Sequence, residues 1–188
     1  MLALLDDCWN LHLRLQEFYE SYRSHKGDNM YWEAPSTVAT SAHNLHSELF
    51  PTILRFRDRQ SSVILPLYWA ILAMLWSGLH SLYSGLEGIG LHDQIQTGAC
   101  PGGLSLLACR SRWLEMIRNV CRSVQANLLD LELATLSLMM DPPRICVSLG
   151  IVIDLMKGRL ECETERTWAL QARREIGERY VRILRCEE

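Results

Sequence analysis

Between Arg59 and Glu87 the chain carries no Asp, Glu, Lys or Arg: residues 60–86 read QSSVILPLYWAILAMLWSGLHSLYSGL. Leaving side chains such as Leu, Ile and Trp in water costs roughly 1.5–3 kcal/mol each, so this run must be covered by lipid or by protein. Its length meets the criterion for a membrane span. Its content argues otherwise, because Pro66, Ser77, Gly78, His80, Ser81 and Ser84 interrupt it. The flanking Arg55, Arg57 and Arg59 are broken by Asp58 and followed by Gln60, and no basic cluster follows the run, so orientation signals are weak. The rest of the chain supplies segments with one apolar and one polar face, which need a partner that is apolar all round. The expectation is an all-α fold, an irregular helical bundle around a central apolar helix. The alternative is a membrane-associated helical protein anchored by residues 63–83.

Composition decides which classes remain. With 188 residues, 48% hydrophobic and 22% charged, the chain reads as a single domain over 1–188 with one sizeable core. A net charge of −3 offers no field for holding nucleic acid. The seven cysteines (Cys8, Cys100, Cys109, Cys121, Cys146, Cys162 and Cys186) are scattered with no CxxC pair, which points to reduced thiols in an intracellular compartment. The opening MLALLDDCWN has two acids where a secretory signal needs a basic region, and reads as helix from its first residues.

Leu4, Leu5, Cys8, Leu11, Leu15, Phe18, Tyr19 and Tyr22 recur at helical spacing and predict a helix over Leu2–Ser24, ended by the turn residues Lys26-Gly27-Asp28-Asn29. Met30–Ser36 reads as a loop with Tyr31 and Trp32 tucked onto the core, and Thr37–Leu49 as a weak helix at most. The central helix has Asp58, Ser61 or Ser62 for its cap and Pro66 near its first turn, and extends to about Tyr83. Glycines at 85, 88, 90, 98, 102 and 103 then make a flexible connection over about 85–103. Leu106, Leu107, Trp113, Ile117, Val120, Cys121, Val124 and Leu128 form the stripe of the next helix, with Arg110, Arg112, Arg118 and Arg122 expected on its solvated face. Leu129–Met140 continues apolar, as helix or as an inward-packed loop. Asp141-Pro142-Pro143 starts a further helix that ends at Gly158. The last helix sets Trp168, Ala172, Ile176, Tyr180, Ile183 and Leu184 against a charged side carrying the pairs Glu175–Arg179 and Glu178–Arg182.

Reactive chemistry finds little purchase. His43 and His46 with Glu48 nearby resemble half a zinc site, but the remaining ligands are not supplied, and two solvent-facing histidines are about ten times commoner. Cys109, Cys121 and Cys146 lack the close pairing of a zinc or redox centre, and Cys100-Pro-Gly-Gly reads as a turn. There is no Gly-x-Ser-x-Gly, phosphate loop or dinucleotide fingerprint. A small helical enzyme would require several of His12, His43, His46, His80 and the cysteines to converge in one pocket with perturbed titration. The reading is therefore of no catalytic, cofactor-binding or metal residue, no cofactor, and no enzyme.

Three blocks carry a resemblance. The first is Phe50-Pro51 through Leu54-Arg55-Phe56-Arg57-Asp58, then Leu65-Pro66-Leu67-Tyr68-Trp69-Ala70. The second is Ile117-Arg118-Asn119-Val120-Cys121-Arg122-Ser123-Val124, and the third is Pro143–Met156 followed by Glu165-Arg166-Thr167-Trp168 and the end helix. In this order, over about 50–184, they resemble the regulatory region of fungal zinc binuclear-cluster transcription factors. The resemblance implies an all-α, non-enzymatic region that works in the nucleus in transcription regulation, through protein partners (coregulators or self-association) or a ligand, and possible association with a metabolic gene cluster of secondary metabolism. The family's DNA-binding head, six cysteines in a basic cluster holding two zinc ions, has no counterpart here, so direct DNA binding is not expected from this chain. Asn127 also stands where the family places an aromatic. The chain is then either the C-terminal piece of a longer or split regulator or a stand-alone descendant acting through partners.

Overall fold

In the computed structural model, residues 2–36, 49–88, 109–133 and 142–186 are described, with side chains to residue 178 in the last helix. They form five α-helices and one hairpin: α1 (Leu2–Lys26), β1 (Tyr31–Pro35), β2 (Thr52–Phe56), α2 (Arg59–Gly88), α3 (Arg110–Leu133), α4 (Pro142–Met156), a 3-10 turn (Leu160–Cys162) and α5 (Glu163–Cys186). The all-α class and the central apolar helix are as the sequence predicts.

α2 is the axis of the bundle. Asp58 caps it: the backbone N–H of Ser61 donates to Asp58 Oδ1 at 2.9 Å and the Ser61 hydroxyl to Oδ2 at 3.1 Å. Among the described residues it is the one helix long and apolar enough to cross a membrane, with a mean hydropathy of 1.7, yet 56% of that stretch is buried inside the protein. Leu65, Trp69, Ala70, Leu72, Ala73, Trp76, Leu79 and Tyr83 are all buried, against α3 and α4 on one side and α1 on the other. Pro66 lies in the helix interior rather than its first turn. The helix also runs on to Gly88, so Gly85 and Gly88 belong to it; the remainder of the expected flexible connection lies outside the described residues.

α1 runs antiparallel to α2, since Tyr22 bonds Ser61 at 3.0 Å, Tyr19 stacks on Tyr68 at 5.1 Å and His12 meets Trp76 at 6.1 Å. Its buried row is Leu5, Cys8, His12, Leu15, Tyr19 and Tyr22. Leu4, Leu11 and Phe18, expected in that row, are exposed instead, which corrects the reading of one broad apolar stripe. The stripe is wider than one neighbouring helix can cover.

The segment expected to be a loop is strand β1, paired antiparallel with β2 in the register Tyr31↔Phe56 to Pro35↔Thr52. Thr52, Ile53 and Phe56 carry the β-branched and aromatic side chains that suit a pleated surface, and Ile53 and Leu54 are buried. Tyr31 packs edge-on against Trp69 at 5.3 Å, as expected, whereas Trp32 is half exposed and does not tuck in.

On α3, Trp113, Ile117, Val120, Cys121 and Val124 are fully buried and Leu128 partly so, in line with the predicted stripe; Leu106 and Leu107 lie outside the described residues. Leu129–Leu133 continues this helix, and 134–140 lies outside. α4 ends as expected, with Gly158 at φ +75 turning the chain into α5. Trp168, Ala172 and Ile176 are buried; Tyr180, Ile183, Leu184 and the expected Glu–Arg pairs of α5 fall where side chains are not described.

Candidate functional site: a charged cleft beneath the hairpin

Residues 115, 118, 119 and 122 stand at i, i+3, i+4 and i+7 on α3, so Glu115, Arg118, Asn119 and Arg122 share one face. The hairpin lies along that face and the first turn of α5 closes its end. Between them is a cavity of about 460 Å³ whose apolar wall includes Tyr31, Leu49, Phe50 and Leu54, and whose polar wall is those four side chains with Glu33, Thr52 and Glu165.

Arg122 ties the cleft together. Its side chain is 15% exposed, and its Nε donates to the Thr52 carbonyl at 3.0 Å. Nη2 donates to the Thr52 hydroxyl and pairs with Glu33 at 2.9 Å, while Nη1 reaches Asn119 Oδ1 at 3.5 Å. Arg118 donates from Nη2 and Nε to Glu165 Oε1, at 3.2 and 3.4 Å. Here the carboxylate is the buried partner, 11% exposed against 55% for the arginine. One step behind, the Gln125 amide donates to the Ser36 hydroxyl at 2.9 Å, and Phe50 stands edge-on to Trp168 at 5.0 Å. The arginines expected on a solvated face thus divide. Arg110 pairs with Glu161 at the surface, but Arg118 and Arg122 clamp the hairpin and α5 onto α3. Helical spacing alone placed them beside the apolar stripe and gave no sign of partners 47 and 70 residues away.

Among the described residues, neither histidine nor cysteine lines this cleft. His12 sits on α1 between Trp9 and Trp76; burial, then the Arg112 charge, hold its pKa below the ordinary value, and its Nδ1 has no hydrogen-bond partner among the described residues. His80 is on α2 near Trp113. Burial, then Glu165 and Cys162, push the Cys121 thiol up, while the exposed Cys109 thiol is brought down by the Ser111 hydroxyl. The five described cysteines are unbridged. His43, His46, Glu48 and Cys100 lie outside the described residues, and among the described ones no group of three or more His, Cys, Asp or Glu is placed to hold a metal ion.

The cleft thus holds two guanidiniums matched by two carboxylates, a further carboxylate in Glu115, and an aromatic wall. This defines the molecule as an all-α bundle with a charged cleft under a hairpin. Compared with protein families, curated proteins and solved structures, the chain matches none.

Proposed function

We propose that this chain is a regulatory module of the kind carried by fungal zinc binuclear-cluster transcription factors, acting in the nucleus through a protein partner or a ligand rather than by catalysis, and without contacting DNA itself. One observation supports this above the others: the three blocks of resemblance meet at the cleft. Phe50, Thr52 and Leu54 come from the first stretch, Arg118, Asn119 and Arg122 from the second, and Glu165 and Trp168 from the third. Residues that look like loosely patterned hydrophobic sequence when read along the chain are therefore partners in one structural unit, and a regulatory surface at that unit accounts for their shared order.

The test is to fuse the chain to a heterologous DNA-binding head and assay a reporter in a fungal host, alongside capture of partners from nuclear extract. A change in reporter output that is lost in Arg118→Glu is the expected result. No activation, no repression and no captured partner would remove the proposal. The competing reading, anchorage in a membrane by residues 63–83, draws on the hydropathy of α2. Carbonate-resistant membrane association would favour it, and the burial of Trp69, Leu72 and Trp76 against other helices counts against it.

A further inference from the structure

Large apolar side chains exposed one at a time are ordinary on protein surfaces. On α1 and α2, five of six are not scattered; the sixth, Leu13, is 39% exposed on the opposite face of α1. Leu4, Leu11 and Phe18 are 48%, 45% and 47% exposed and recur every seven residues, so they form one row along α1 with a drift of only about 20° per step. On α2, Leu67 and Met74 are 37% and 51% exposed, again seven apart. Because the two helices are antiparallel, both rows face the same side of the α1–α2 layer. They adjoin where Phe18 meets Tyr68 at 6.3 Å, and Ile64 and Ile71 lie half-buried between them. A contiguous apolar face of this kind marks an interaction surface.

The charges beside the row say what covers it. Asp7 and Arg14 also stand seven apart, about 60° round the helix from Leu4 and Leu11, on the edge turned away from α2. At about 1.5 Å per residue they are roughly 10.5 Å from each other along the axis, too far to pair within the helix. Both are exposed, and neither has an ion-pair partner among the described residues. We infer that this face binds a second copy of the chain, with the two α1 helices antiparallel about a two-fold axis near Leu11. Leu4 of one copy then lies against Phe18 of the other, Leu11 meets Leu11, and Asp7 comes within one residue's rise of the second copy's Arg14. Symmetry makes that ion pair twice. The antiparallel two-fold brings the same edge of both α1 helices together, so Asp7 and Arg14 complement each other there, whereas a parallel pairing puts those edges on opposite sides of the seam and forms neither ion pair. The inference names one partner of the regulatory module but does not rest on that reading, since a dimer forms or fails to form whatever a reporter does.

The experiment is sedimentation equilibrium of the intact chain and its charge-reversed variants, with circular dichroism to verify that each folds. The wild type is expected to dimerise. Asp7→Arg alone and Arg14→Asp alone each raise the dissociation constant about tenfold or more, because each sets like charges across the axis. The double variant Asp7→Arg with Arg14→Asp regains the wild-type constant, and an equimolar mixture of the two single variants forms the heterodimer in preference to either homodimer. Leu11→Glu dissociates the dimer without changing helix content. A wild-type chain that stays monomeric up to about 1 mM, where even weak specific association registers, overturns the inference. So does a dimer indifferent to both single reversals, which would place the contact on another face, or a monomer that binds phosphatidylcholine vesicles through α1.

Discussion

A guanidinium that is 15% exposed has to find its partners inside the protein, because an unpaired buried charge is among the costliest defects a fold can carry. Arg122 finds them in the Thr52 carbonyl and hydroxyl and in Glu33, and in doing so joins α3 to both strands. Arg122→Ala is expected to lower stability by about 2–3 kcal/mol in chemical denaturation, since it orphans the Thr52 groups as well as removing a charge. Arg122→Lys should recover less than half of that, having one point charge in place of a fork. Asp58 makes a second residue-scale case. Burial alone would raise its pKa, but the Ser61 N–H, the Ser61 hydroxyl and Lys26 together bring it below the ordinary value of 3.8. A carboxylate with a depressed folded pKa stabilises the protein above its unfolded pKa and loses that contribution as pH falls through the folded one. Asp58→Ala should therefore cost about 1 kcal/mol at neutral pH, the usual worth of an N-cap. The gap between variant and wild type in thermal melts should narrow as pH drops below about 4.

At the scale of elements, α2 poses the question the sequence left open, lipid or protein. Ala70 and Ala73 have no exposed surface, on a helix that packs against both α3 and α4. Ala73→Leu should destabilise the fold by about 1–3 kcal/mol, read in urea, because added methylenes overpack a filled interior. The same change on a lipid-facing helix would be neutral or favourable, so the sign of the effect discriminates between the two environments. Gly158 tests the end of α4 by another route. Its φ of +75 lies in the left-handed region, and a Cβ there would meet nothing within 4 Å. Gly158→Ala should cost about 1 kcal/mol through backbone conformation alone, with Gly158→Asn recovering part of it in the same melts. Helices α1, α3, α4 and α5 were legible from apolar spacing, and α2 from its long uncharged run. The hairpin was not. Tyr31–Pro35 is only five residues long, shows no regular alternation and ends in proline, and its strand character comes from pairing with Thr52–Phe56 across the chain.

For the molecule as a whole, α2 contacts α1, α3, α4 and β2, whereas α1 is held chiefly by α2. Opening free energies should follow that asymmetry. Amide hydrogen exchange by mass spectrometry is expected to show α2 and α3 peptides exchanging near the global unfolding limit and α1 peptides well before it. Equal protection of α1 and α2 would contradict this hierarchy in the monomer; protection of α1 that grows with protein concentration is what the two-fold pairing of α1 requires. The cleft belongs to this scale as well. Its walls come from the hairpin, α3 and α5, and only in the assembled bundle do Glu33, Thr52 and Glu165 reach Arg122 and Arg118.

By itself the sequence determined which segments are helical and that one of them must be enclosed, because burial of apolar surface is written in local periodicity and in the absence of charge from 60 to 86. Tertiary structure alone decided which arginines are buried and which leucines of α1 are left uncovered. Those outcomes depend on what packs against a face, and a helix's own residues specify only that the face exists.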